Sequence, residues 1–265
     1  MSDGLDRAAE LVAGADAVLV CAGAGMGVDS GLPDFRGGAG FWRAYPPYER
    51  LGLRFEELAD PVHFVEDPEL AWGFYGHRLA LYRNTIPHAG FAILRDWGAR
   101  AFTSNVDGQF QLAGFADVAE VHGSIHHLQC TLPCRRAVWA ATVDVEVDPE
   151  TMRAVGGLPT CESCGALARP NILMFGDAHW VPDRSQADLD ALSEWRRSLR
   201  GRNLVVLEIG AGTAIPTVRR HAELASAATG NLIRINPREP EIRHGRGVAL
   251  AMGAVEALTE IQKRL

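Results

Sequence analysis

The segment Asp16 to Arg36, DAVLVCAGAGMGVDSGLPDFR, constrains this chain most, because an apolar, strand-like run empties into a loop with glycines at 23, 25, 27 and 31. Glycine lets a backbone approach a pyrophosphate closely and take up positive φ, and amides opening onto a helix N-terminus offer donors to anionic oxygens. A nucleotide phosphate is the guest such a loop suits. The ordinary dinucleotide fingerprint would have glycine at 23, 25 and 28, with an acid about 20 positions later for the ribose. Position 28 is Val28, and Gly31 leads into Pro33-Asp34-Phe35-Arg36, which cannot simply continue a helix. The segment therefore predicts a nucleotide loop of another kind and disfavours a nicotinamide dehydrogenase.

Hydrophobic periodicity around that loop predicts an α/β fold. Strands are expected over 17–22, 100–104, around 121, and over 172–175, 203–209, 232–236 and 248–251. Helices are expected over 3–14, 55–60, 68–83, 88–97, 184–199 and 216–228, with a last one running to 265. The pattern is a doubly wound, Rossmann-like parallel sheet with a smaller inserted zinc-binding and helical module. Residues 1–37, 85–124 and 171–265 are assigned to the nucleotide-binding domain, 38–84 to a helical lid and 125–170 to the zinc-binding module. Ligands of such sheets lie at the carboxyl ends of strands, which puts Asn105, Asp107 and His122 at one edge.

Cys130-x3-Cys134 and Cys161-x2-Cys164 are two pairs separated by 26 residues. Each can close a knuckle, and four thiolates make a closed, structural zinc site with no open position for chemistry. Cys21 lies in a core strand and reads as a small buried apolar residue. The N-terminus lacks a charged segment followed by an apolar core, and the longest apolar runs are strand-sized, so no export or membrane span is expected. Free cysteines without a secretion signal fit a reducing, cytoplasmic compartment. A net charge of −7 with no dense basic block argues against direct nucleic-acid binding.

Several motifs in order give the chain a resemblance. Gly23-Ala24-Gly25 with Ser30 to Arg36, Thr103-Ser104-Asn105-Val106-Asp107, Val121-His122-Gly123-Ser124, and Arg169-Pro170 through Phe175-Gly176-Asp177 together resemble the sirtuin (Sir2) family, over nearly the whole length. The resemblance implies an enzyme that consumes NAD to remove acyl groups from lysine, yielding nicotinamide, O-acyl-ADP-ribose and free lysine. It implies His122 as general base, a role its ordinary pKa near 6.5 suits. It also implies Asn105 ordering the ribose or a water and Asp107 holding the nicotinamide amide.

By the same resemblance Ala24, Gly25, Asp34, Phe35, Arg36, Ser104, Gly210, Gly212, Thr213, Asn236 and Ala254 would line the cofactor site. Phe175 and Gly176 would dock the acyl-lysine peptide as an added strand. Tyr75 and Arg78, three apart on a predicted helix, resemble the Y-x-x-R pair of the subclass that removes succinyl and malonyl groups; the alternative is an arginine on a solvated face beside a core tyrosine. Pro46, Pro47 and Tyr48 could narrow that pocket to acetyl. The chain departs from the family at Ser104, at Gly27, at Gly210-Ala211-Gly212-Thr213, and in the three residues between its first two cysteines. A sirtuin-like mono-ADP-ribosyltransferase or NAD hydrolase is the competing activity, and a non-catalytic NAD-sensing module is the competing class. Oligomeric state is not legible.

Overall fold

The structure is a computed structural model that describes residues 2–34, 45–50, 52–132, 134, 136–242 and 247–265. In chain order the strands are β1 (Ala17–Ala22), β2 (Arg100–Thr103), β3 (Val118–Glu120), β4 (Gly123–Cys130), β5 (Val138–Ala140), β6 (Glu146–Val147), β7 (Ala154–Val155), β8 (Ala168–Ile172), β9 (Leu204–Ile209), β10 (Leu232–Ile235) and β11 (Val248–Leu250). Six of them form one parallel sheet in the order β3-β2-β1-β9-β10-β11. That is the order of a doubly wound nucleotide-binding sheet, with the reversal between β1 and β9.

The sequence explains why β1 sits at the centre. A strand covered on both faces needs a nearly continuous apolar run, and AVLVCA supplies it. Alternate residues point to opposite faces. Val18, Val20 and Ala22 pack with the helices Ser2–Ala13, Ala89–Asp96 and Ala254–Gln262, whereas Leu19 and Cys21 pack with the helices Asp183–Ser198 and Thr217–Ser226. Burial pushes the Cys21 thiol well up, as expected of a packing residue. Inside this apolar layer Glu208 of β9 faces Arg234 of β10 at 2.8 Å with neither side chain exposed, and Arg234 also reaches Glu223 at 3.0 Å.

A second layer stands beside the sheet. β5, β4 and β8 form a three-stranded antiparallel sheet, β6 and β7 a two-stranded hairpin. Together with the helix Pro68–Asn84 they enclose an apolar cluster of their own, including Tyr48, Phe74, Tyr75, Leu128, Met152 and Ile172. One expectation needs correcting. The strand expected over 172–175 ends at Ile172 and belongs to this second sheet, where Pro170 and Arg169 pair with β4. The strand expected around 121 is β3, parallel to β2, and His122 follows two residues past its end, in the corner between β3 and β4. That corner is possible because Gly123 has φ +81°, and a Cβ there would lie 2.0 Å from the Asn171 carbonyl oxygen where β8 crosses. Among the described residues no helix is long and apolar enough to cross a membrane.

Candidate functional site

Three loops meet where the strand order reverses. β1 runs into Gly23 and the 3-10 turn Ala24–Ser30, β2 into Ser104 and Asn105, and β9 into Gly210. The crevice between their carboxyl ends holds a cavity of about 830 Å³. Gly25 and Gly210 interlock across it. A Cβ on Gly25 would lie 2.6 Å from Gly210 Cα, and Gly25 N donates to the Gly210 carbonyl at 3.0 Å, as Gly23 N does to Ile209 at 3.0 Å. The amides of Gly23 and Gly25 are thus taken by the end of β9 and the residue after it, and glycine is required at both positions for backbone-to-backbone contact. Ala24 and Asp34 line the cavity while Gly25 stands behind it; Phe35 and Arg36, with residues 38–44 of the expected lid, fall outside the described residues.

The polar residues after β2 are fixed by the end of β1. Thr103 Oγ1 donates to the Ala22 carbonyl at 2.9 Å and accepts from Asn105 N at 3.0 Å, while Asn105 Nδ2 donates to the Gly23 carbonyl at 3.0 Å. Inside the cavity Asn105 can thus offer its amide oxygen and one remaining N–H. Asp107 is 8% exposed, accepts from Gln109 N at 3.0 Å, and is pushed by burial up to about 6. His122 lines the same cavity; burial lowers its pKa, and a hydrogen bond from its ring to the Ser104 carbonyl acts in the opposite direction. An imidazole with a lowered pKa, a buried carboxyl group and a carboxamide therefore share one cavity with Ser104.

The helix Pro68–Asn84 closes one end. Arg78 is not on a solvated face: it is 5% exposed and lines the cavity with Tyr75, Tyr82 and Phe55. Its Nε and Nη2 donate to Tyr82 Oη at 3.0 and 2.8 Å, and its guanidinium carbon lies 5.1 to 5.8 Å from the ring centroids of Phe74, Tyr82, Tyr75 and Phe55. Tyr48 is fully buried and does not line the cavity; its Oη donates to the Met152 carbonyl at 3.2 Å. Leu173, Met174 and Phe175 form the cavity rim, Phe175 N donates to the Ala59 carbonyl at 2.9 Å, and Gly176 follows just outside.

At the other end Gly210, Gly212 and Thr213 line the wall with Arg238 and Glu239. Thr213 Oγ1 donates to Glu239 Oε1 at 2.6 Å. Asn236 is placed behind this wall: Nδ2 donates to the Ala211 carbonyl at 2.9 Å, and Oδ1 accepts from Arg238 N and Glu239 N at 3.0 and 3.1 Å. Ala254 is buried in the first core cluster, away from the cavity. Sequence reasoning missed Tyr82, which the helical repeat i, i+3, i+7 from Tyr75 would have found. It also missed Glu239, in the loop that follows a strand's carboxyl end.

The four cysteines come together. Cys130 and Cys164 Sγ are 3.6 Å apart, Cys134 and Cys161 Sγ 3.7 Å, and all four atoms lie within 4.8 Å of one another. Thiolates bound tetrahedrally at about 2.3 Å stand about 3.8 Å apart, so the set fits one zinc ion. Leu132 N donates to Cys130 Sγ at 3.3 Å, and the amides of Ser163 and Cys164 do the same for Cys161, an arrangement that stabilises thiolates. The extra residue between Cys130 and Cys134 does not prevent convergence. With four sulfurs as ligands the site is closed.

A family model described as the Sir2 family matches residues 23–194. The chain belongs to the Sir2 family. It is 33% identical to NAD-dependent protein deacylase 1 of Pseudomonas aeruginosa over 96% of both chains. It is 29% identical to NAD-dependent protein deacylase 1 of Archaeoglobus fulgidus over 92% of this chain and 90% of that one. A crystal structure of a Sir2 homologue–NAD complex superposes with a TM-score of 0.75 at 26% identity, covering 97% of this chain and 93% of that one. As a Sir2-family chain it is an α/β protein whose Rossmann-like parallel sheet carries a four-cysteine zinc module.

Proposed function

We propose that this Sir2-family protein is an NAD-dependent protein-lysine deacylase acting on acylated proteins. The observation that carries the proposal is that one cavity at the strand reversal is lined by His122, Asn105 and Asp107 and extends to the aromatic end formed by Phe55, Tyr75 and Tyr82. The first group suits a nicotinamide ribose; the second suits an acylated lysine chain. In this reading 1–37, 85–124 and 171–265 bind NAD, 38–84 form the lid and 125–170 hold the zinc.

The roles are those the resemblance implies, and the shared cavity supports them. Asp107 accepts the nicotinamide amide; Asn105 orders the ribose or a water through its amide oxygen. The acyl oxygen of the modified lysine attacks the anomeric carbon and nicotinamide leaves. His122, neutral because it is buried, then takes the proton of a ribose hydroxyl as that hydroxyl attacks the acyl carbon. Expulsion of the lysine amine and addition of one water to the acyl carbon then give free lysine and O-acyl-ADP-ribose. Phe175, whose backbone already bridges to Ala59, receives the peptide with Gly176. Tyr75 and Arg78 would hold a dicarboxylic acyl chain, because a desolvated guanidinium in an aromatic cage binds a carboxylate strongly.

Against a simple NAD hydrolase stands that second, aromatic end, for which hydrolysis has no use. Mass spectrometry after incubation with NAD and a panel of acyl-lysine peptides tests the proposal. Nicotinamide, deacylated peptide and O-acyl-ADP-ribose are expected in equal amounts. ADP-ribose formed at the same rate without peptide would favour the hydrolase, and ADP-ribosylated peptide the transferase.

A further inference from the structure

The helix Pro68–Asn84 faces two ways. Tyr75, Arg78 and Tyr82 line the cavity, whereas Gly73 and Gly76 stand about 160° round the helix, at 100° per residue, and meet the hairpin of β6 and β7. That contact has no slack. A Cβ on Gly73 would lie 2.0 Å from the Met152 carbonyl oxygen and 2.8 Å from Arg153 Cα; one on Gly76 would lie 2.9 Å from both Cβ and Cγ1 of Val145.

The hairpin is built to hold its shape. Its turn is tied by Asp148 Oδ1, which accepts from Glu150 N, Thr151 N and Thr151 Oγ1 at 2.9, 2.8 and 3.0 Å. Met152 follows with φ +54°, the one non-glycine residue of positive φ among the described residues. Such a conformation persists where the surroundings over-determine it, and here it aims the Met152 carbonyl at the helix and at Tyr48 Oη. The same segment grips both ends of the helix: Arg153 pairs with the capping Asp67 and, at 3.6 Å, with Glu69, and Arg83 donates to the Val143 carbonyl at 2.8 Å and to that of Ala141.

We propose that the β6–β7 hairpin, through its contact with Gly73 and Gly76, sets how far Tyr75 and Arg78 stand from the acyl group and so selects acyl-chain size. Gly73, Gly76, Val145 and Met152 are positioning residues; none lines the cavity. Any bulk added at the glycines moves the helix toward the cavity and narrows its aromatic end. This inference rests on the deacylase reading above.

The test compares kcat/KM for acetyl-lysine and succinyl-lysine peptides in wild type, Gly76→Ala and Gly73→Ala, with KM for NAD and bound zinc measured on the same samples. The succinyl-to-acetyl ratio is expected to fall about tenfold in Gly76→Ala, within the range of ångström-scale misplacement, with zinc content and KM for NAD unchanged. Adding Val145→Gly, which makes room for the new methyl group, is expected to restore the ratio; this pair keeps the test alive where Gly73→Ala does not fold. An unchanged ratio in folded Gly76→Ala, or equal loss on both peptides, overturns the positioning role while leaving the deacylase intact. A wild type that removes no acyl group from any peptide overturns the deacylase reading itself.

Discussion

Arg169 and Asp177 form a bidentate pair, 2.8 Å along each arm, with side-chain exposures of 2% and 0%. The pair closes the loop that carries Leu173 to Gly176 along the cavity rim, and Asp177 also accepts from Met174 N and His179 N at 3.4 and 3.2 Å. Two charges without solvent are tolerated only while they satisfy each other. Asp177→Ala is expected to lower stability by about 3–5 kcal/mol, because it leaves a buried guanidinium unpaired. Denaturant unfolding checks this, and the double variant Arg169→Met, Asp177→Leu should recover much of the loss.

Zinc should hold the fold without entering the chemistry. Four sulfurs within 4.8 Å leave no ligand position for water or substrate. Cys161→Ser is expected to lower metal content and melting temperature together. Elemental analysis beside calorimetry checks it; a metal-free protein of unchanged stability and activity would defeat the assignment.

Turnover should fail on the acid side. In the proposed mechanism His122 must be neutral to act as base, and burial has lowered its pKa, so activity is expected to be lost as pH falls through a value below the ordinary 6.5. In the proposed role Asp107 accepts from the nicotinamide amide as a carboxylate, and that form is lost as pH falls through about 6. The two losses reinforce each other, giving a log kcat/KM profile with an acid slope of about two. In Asp107→Asn the level drops and the slope is expected to approach about one.

Arg78 should discriminate between acyl groups. Its guanidinium is buried among Phe55, Phe74, Tyr75 and Tyr82 at the cavity end. Arg78→Met is expected to cost about 2–4 kcal/mol in kcat/KM for succinyl-lysine peptide and little for acetyl-lysine, the range for losing a charge-assisted pair in a desolvated site. Equal loss on both would make Tyr75 and Arg78 scaffold.

Much of this was legible in the chain, for physical reasons that also mark where legibility stops. β1 and β9 could be read because strands buried on both faces are continuous apolar runs, and the cysteines because metal chemistry fixes their spacing. The stretch Ile172 to Phe175 is as apolar as a core strand, yet Ile172 pairs with Gly123 of an antiparallel sheet; periodicity does not say which partner a strand finds. The glycines at 23 and 25 signalled close approach correctly but not what approaches, which is Gly210, far along the chain. Asn236 was singled out for the ribose, whereas its amide ties the loop carrying Glu239. The fit of Gly73 against Met152 is a contact between distant backbone segments and leaves no local signature. Arg169 and Asp177, by contrast, could have been paired from sequence, as opposite charges flanking one apolar turn.

In the proposed reaction His122 is the base of an acyl transfer that follows nicotinamide release. This is tested most directly by measuring, in wild type and His122→Ala, the rate of free-lysine formation from an acyl-lysine peptide beside the rate of labelled nicotinamide exchange into NAD. Lysine formation is expected to fall by about 10²- to 10⁴-fold while exchange persists, because expulsion of nicotinamide precedes the step that needs the base. Lysine formation at the wild-type rate in His122→Ala would contradict it.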